Sequence, residues 1–229
     1  MTIKDFQQQN KIQFTNVKLL EQAFIHRSFI NENPRSGLAH NERLEFLGDA
    51  VLELVVTEFL YAKYSQHNEG DLTAYRSALV NAVTLGQLAD ELSFNDLMKL
   101  SKGEAKDVSR ARSSILADAY EALVGAIYLD QGYDTVRDFI SKTLLVKTDD
   151  IIRRGLYKDA KSFVQEKSQD INGLTPSYRV IDEEGPDHDK RFRVGIYFGE
   201  ELIAEGMGKS KLEAETDAAR NALARKGWA

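Results

Sequence analysis

The 229-residue chain contains no cysteine, which excludes disulfides and thiolate metal sites and suits a cytosolic protein. It has no apolar run of about eighteen residues, so no membrane span is expected. The opening stretch Met1–Phe6 lacks the basic and apolar regions of a secretory signal. Histidine is scarce: His26, His40, His67 and His188 are the only four. A basic excess is missing too, and a net charge of −6 ordinarily argues against a nucleic-acid partner. That charge is uneven. Residues 1–150 carry 16 Lys and Arg against 22 Asp and Glu, whereas residues 151–229 carry 14 of each. Any basic face must therefore come from local clustering. At 42% hydrophobic residues, the chain can still bury one or two sizeable cores.

Up to about residue 147 the pattern is helical. Leu19, Leu20, Ala23 and Phe24 recur at helical spacing behind a candidate N-cap, Asn16. Arg43–Tyr61 is too apolar for a one-sided surface helix and reads as central or interfacial. Asp71 is read as the cap of the next helix, and Leu85–Leu92 as a further segment before a turn at Ser93–Asn95. Ser101–Ser113 reads as an exposed basic loop placed to touch phosphate. Ser113 or Ser114 then opens a second apolar helix ending near Gly132, and Tyr133–Leu145 forms a last one. Residues 148–157 read as a linker. From residue 158 the order is a helix, three alternating strands (Tyr178–Asp182, Phe192–Phe198, Leu202–Gly206) and the amphipathic helix Ser210–Lys226. The fold expected is an all-α domain over 1–147 followed by a small α+β (α-β-β-β-α) domain over 158–229.

Carboxylates stand inside the two most apolar helices. Glu42, Glu45 and Asp49 share one helical face, and Asp118 and Glu121 share another. An ionised carboxylate in a low-dielectric interior is costly unless something pairs with it. One compensation is pairing with Arg43, Arg76 or a helix N-terminus. Another, a di-metal carboxylate bundle of the oxygen-activating kind, needs Glu-x-x-His pairs, and no histidine lies on either helix. The third is a hard divalent cation, since an all-oxygen donor set without His or Cys favours Mg²⁺ or Mn²⁺ over zinc.

The run Asn41-Glu-Arg-Leu-Glu-Phe-Leu-Gly-Asp49-Ala-Val-Leu52 resembles the signature of the ribonuclease III family. The resemblance continues through His26–Ser28, Glu69–Leu72, Arg76–Asn81 and Ile115–Asp130, in the right order. It implies a Mg²⁺-dependent endoribonuclease, with Mn²⁺ able to substitute. The substrate would be double-stranded RNA, cut to 5′-phosphate and 3′-hydroxyl ends with short 3′ overhangs, in rRNA and mRNA processing. It assigns Glu45, Asp118 and Glu121 to the metal, with Glu121 and Asp49 as catalytic residues. Asp49 would hold the attacking water, and Glu42 and Glu69 would form a supporting acidic pair near the scissile strand. It also implies a cytoplasmic homodimer, for which Phe46, Leu47, Leu54 and Val55 supply a candidate apolar surface.

The second domain is similar to a double-stranded-RNA-binding domain. Lys209 and Lys211 fall at a helix N-terminus, where free N–H groups already favour phosphate. Gln165, Glu166 and His188 are the other expected RNA contacts, reading A-form shape rather than sequence. Leu212 stands where the family usually has a second consecutive basic residue, so Lys211 has no such neighbour. Lys190, Arg191 and Arg193 read as a solvated strand face. The competing function is a double-stranded-RNA-binding protein without catalysis.

Overall fold

The structure is a computed structural model that describes residues 1–106, 110–153, 157, 160–186 and 190–228. It divides into two compact units, Met1–Ile152 and Arg153–Ala229. The first holds helices α1 (Ile3–Asn10), α2 (Val17–Ala23), α3 (Arg27–Glu32), α4 (Glu42–Lys63), α5 (Glu69–Val80), α6 (Ala82–Glu91) and α7 (Arg110–Thr143), and α8 (Thr148–Arg153) follows. The second contains α9 (Ala160–Asn172), strands β1 (Pro176–Glu184), β2 (Arg191–Phe198) and β3 (Glu201–Gly208), and α10 (Lys211–Lys226). All-helical followed by α-β-β-β-α is the order expected from the sequence. No helix among the described residues is long and apolar enough to cross a membrane.

In the first unit α4 and α7 form the central pair. Leu52, Val56 and Leu60 of α4 and Leu123, Val124 and Ile127 of α7 are almost fully buried. An aromatic cluster closes one end, with Phe24 edge-on to Phe6 at 5.8 Å and to Phe94 at 5.0 Å. Phe6 belongs to α1, which apolar periodicity does not reveal because Ile3 and Phe6 are its only apolar residues. Capping forms that helix instead: Thr2 and Asp5 make a reciprocal capping box. Gly132, at φ 80°, breaks α7 into two stretches, the left-handed backbone that glycine adopts without a Cβ penalty.

Several local expectations need correction. Asn68, not Asp71, caps α5, and its side-chain oxygen accepts the Asp71 N–H at 3.0 Å. α7 begins at Arg110 rather than at Ser113 or Ser114. The expected basic loop therefore contains a helical end and a short 3₁₀ turn at Glu104–Lys106, while residues 107–109 lie outside the described residues. Arg112 is tied inward by donation from Nε to Asn95 Oδ1 at 2.8 Å. Within the span read as linker, Thr148–Arg153 is helical. Burial of Thr148 and Ile151 draws it onto the first unit, and Asp149 accepts from Lys63 Nζ at 2.6 Å and Tyr64 Oη at 2.9 Å. Val55, read as dimer surface, is core at 1% exposed.

Asp130 has a structural role that its place among the family motifs did not disclose. Its carboxylate accepts the backbone N–H groups of both Thr15 and Asn16 at 2.8 Å, securing the chain just ahead of α2. Asp130→Ala is expected to cost about 1–2 kcal/mol, since two backbone donors lose a charged acceptor. Thermal denaturation should show a loss of roughly 3–6 °C. An unchanged melting temperature would contradict this role.

In the second unit the three strands form an antiparallel meander in the order β1-β2-β3. The two-residue turn Gly199-Glu200 joins β2 to β3, with Phe198 opposite Glu201 and Gly199 at φ 62°. Val164 of α9 and Ala218, Ala219 and Ala222 of α10 pack on Ile196 and Ile203. Alanine predominates on α10, and its small side chains let the helix lie close to the sheet.

Candidate active site

Asn41 begins α4. Its backbone N–H donates to the Ile25 carbonyl at 2.9 Å, and its side chain donates to the Ala23 carbonyl at 3.1 Å. This buried asparagine fixes where the acidic helix starts relative to the α2–α3 corner. The helix then crosses α7 at two glycines. A Cβ on Gly48 would overlap the Glu121 carbonyl oxygen, and one on Gly125 would overlap the Leu44 carbonyl oxygen. Only glycine allows the backbones to approach this closely. The contact places residue 45 of one helix beside residues 118 and 121 of the other.

Carboxylate oxygens of Glu45, Asp118 and Glu121 lie within 4.8 Å of one another. All three side chains are half-buried, and among the described residues none is held in an ion pair. Among the described residues Arg76, one of the partners considered, reaches Glu53 and Thr57 instead of these three acids. Burial first, then the charges of Asp49, Asp118, Glu45 and Glu53, pushes Glu121 up to about 8. Burial, then Asp118, Glu42 and Asp49, raises Glu45. Asp118 is raised by burial, against which His26 pulls it down. Three acids are thus held close, and among the described residues no ion pair compensates them.

Asp49 is exposed and lies outside the three-residue group, though its charge acts on both glutamates. Glu42 is exposed and faces Arg27 at 3.5 Å and His40 at 3.7 Å. Glu69 is exposed in the first turn of α5 and is not among the charges acting on Glu45 or Glu121. Gln165 and Glu166 are exposed on α9. Lys209 and Lys211 flank the α10 cap Ser210, and Leu212 is 66% exposed beside them. His188 lies outside the described residues. Sequence reading missed His26 and Glu53 as electrostatic neighbours of the cluster. It also missed Gly48 and Gly125, whose positions inside the apolar helices were the available signal.

The raised acid has a consequence for stability. Between the ordinary glutamate value and about 8, the folded chain holds a proton on Glu121 that the unfolded chain has released. Its contribution is full below the unfolded value and is lost as pH rises through about 8. In chelator, the melting temperature should therefore fall as pH rises from about 4.5 to about 8 and level off above that, by an amount worth roughly 1–2 kcal/mol after solvent screening. Mg²⁺ should restore it, because a cation compensates the same charge. A profile equally flat with and without Mg²⁺ would sink this account.

The family model described as Ribonuclease-III-like matches residues 16–148, and the double-stranded RNA binding motif matches residues 160–226. The chain is 46% identical to ribonuclease 3 of Bacillus licheniformis, over 97% of this chain and 89% of that protein. It is 44% identical to ribonuclease 3 of Streptococcus pyogenes, over 93% of this chain and 92% of that one. The crystal structure of the nuclease domain of ribonuclease III from Campylobacter jejuni is also similar, at 36% identity and a TM-score of 0.56. That likeness covers 65% of this chain and 95% of the other. A second structure of the same domain, concerned with flexibility in the region involved in dimer formation, gives 38% identity and a TM-score of 0.55, covering 62% of this chain and 98% of that one. Sequence motifs, fold and both domain matches agree: the chain is an endoribonuclease and belongs to the ribonuclease III family.

Proposed function

We propose that this chain is a Mg²⁺-dependent endonuclease for double-stranded RNA, acting as a cytoplasmic homodimer in rRNA and mRNA processing, with Mn²⁺ able to replace Mg²⁺. The observation that carries the metal reading is the convergence of Glu45, Asp118 and Glu121 oxygens within 4.8 Å. An octahedral ion with ligands at about 2.1 Å sets adjacent oxygens about 3 Å and opposite ones about 4.2 Å apart. Three oxygens no more than 4.8 Å apart come near that spacing, and the all-oxygen donor set fits a hard cation.

Bound there, the cation would supply a water of lowered pKa and positive charge facing the phosphate. Glu45, Asp118 and Glu121 would hold it, with Glu121 exchanging its proton for the metal. The Asp49 carboxylate, exposed one turn beyond Glu45, would orient the attacking water and accept its hydrogen bond. Glu42 and Glu69 would stand by the scissile strand as supporting acids. Attack in line with departure of the 3′-oxygen leaves 5′-phosphate and 3′-hydroxyl ends.

Gln165 and Glu166 on α9, His188, and Lys209 and Lys211 at the start of α10 would contact the duplex through its A-form shape and phosphates. Dimerisation is supported by Phe46, Leu54 and Tyr61, which are 82%, 57% and 76% exposed along one side of α4. Two copies joined there would cut both strands and leave a short 3′ overhang. Sedimentation at working concentration should give a dimer, and a persistent monomer would contradict that part.

The experiment is cleavage of a long RNA duplex in Mg²⁺, in chelator and beside a DNA duplex. Cutting confined to RNA with Mg²⁺ is expected. Undiminished cutting in chelator, or equal cutting of DNA, would overturn the reading.

A further inference from the structure

Glu183, the penultimate residue of β1, stands directly opposite Phe192 of β2. One of its carboxylate oxygens lies 3.0 Å from Lys190 Nζ, and the other lies 3.3 Å from Lys211 Nζ. Both ammonium groups sit over the same Phe192 ring, at 5.9 and 5.6 Å from its centroid. One carboxylate thus bridges two lysines from different elements, each oxygen facing one cation. The two unesterified oxygens of a phosphodiester present the same two-oxygen anionic end. Lys190 comes from the strand side to stand beside Lys211, where Leu212 leaves the helix without its usual second cation. We propose that Lys190 and Lys211 form a two-lysine clamp for an RNA phosphate, and that Glu183 closes this clamp in the free protein as an internal competitor.

The inference rests on the reading of Lys211 as an RNA contact and adds two residues to it. It also accounts for a domain with 14 basic and 14 acidic residues over 151–229, which binds a polyanion despite having no net charge to attract it. Other cations of the unit are neutralised in the same manner: Arg179 by Glu200, Arg193 by Asp182 and Glu205, and Lys161 by Glu215. At the clamp one carboxylate faces two lysines from different elements. The lysines hold the Glu183 carboxyl below the usual carboxylate range, so it stays charged and competes throughout the neutral range. An arriving phosphate must displace that carboxylate, and Lys190 and Lys211 then each release a contact to it.

The test is binding of the full chain to duplex RNA in chelator, which prevents cleavage, over a series of salt concentrations. Glu183→Gln is expected to tighten binding about three- to tenfold and to steepen the salt dependence by about one phosphate contact. Lys190→Met and Lys211→Met should each weaken binding and flatten the salt dependence. Glu183→Gln should gain little when Lys211→Met is already present. If Lys211→Met weakens binding while Glu183→Gln leaves it equal or weaker, competition is overturned and Lys211 remains an RNA contact. If Lys190→Met changes nothing, the clamp is overturned. If Lys211→Met changes nothing, both the clamp and the underlying reading fail.

Discussion

Glu121→Gln is expected to slow Mg²⁺-dependent cleavage of duplex RNA by on the order of a thousandfold or more while leaving RNA binding in place. Glu121 is the most strongly perturbed of the three clustered acids, raised to about 8 by burial and by Asp49, Asp118, Glu45 and Glu53. Glutamine keeps the shape but removes one of three anionic donors, and with it several kcal/mol of charge stabilisation. The same substitution relieves repulsion in the metal-free protein. Its melting temperature in chelator near pH 8 should rise above that of the unmodified chain. Lost catalysis with gained metal-free stability separates a metal site from a structural acid, whose removal would lower both. Full cleavage by Glu121→Gln, measured with single-turnover kinetics in Mg²⁺, would remove Glu121 from the chemistry.

Gly125→Ala should be equally disabling by a different route. Its new methyl group would overlap the Leu44 carbonyl oxygen, and both partners there are helix backbone that cannot rotate away. The helices must separate, at an expected cost of about 3 kcal/mol or more. For a unit of this size that means a melting temperature lower by about 6–12 °C. Separation also moves Glu45 away from Asp118 and Glu121, so Mg²⁺ should lose most of its stabilising effect on whatever remains folded. Gly103→Ala is the control: its Cβ would meet only Ser101 Oγ, at 3.8 Å, and should change stability by less than about 0.5 kcal/mol. Differential scanning calorimetry with and without Mg²⁺ reads both effects. A Gly125→Ala protein as stable and as Mg²⁺-responsive as its parent would show that the close crossing is dispensable.

Much of this molecule was legible in advance, for identifiable reasons. The long apolar segments behind α4 and α7 carry a strong period, and the alternation in β1–β3 is bounded by turn residues. Acids inside apolar helices are conspicuous because burial penalises them. Short elements formed by capping escaped notice, as α1 shows: its Thr2–Asp5 box matters more than its two apolar residues. The start of α7 was placed late because Arg110 and Arg112 look like loop, whereas Arg112 folds back to Asn95. Val55 was misassigned because an all-round apolar helix does not say which side faces its neighbours.

The sequence by itself determined the two-domain order, the helical and α+β classes, and the residue types able to hold a hard cation, since these follow from periodicity and side-chain chemistry. Only the tertiary structure decided which acids meet. Glu42, Glu45 and Asp49 are equivalent in helical spacing, yet the Gly48–Gly125 crossing brings Glu45 alone into the group with Asp118 and Glu121. It leaves Glu42 to Arg27 and His40, and Asp49 exposed at the margin. The same holds in the second domain, where Lys190 and Lys211 are far apart in the chain but share one carboxylate and one ring. Spacing along a helix fixes a face, whereas distance between elements depends on how closely their backbones can pack.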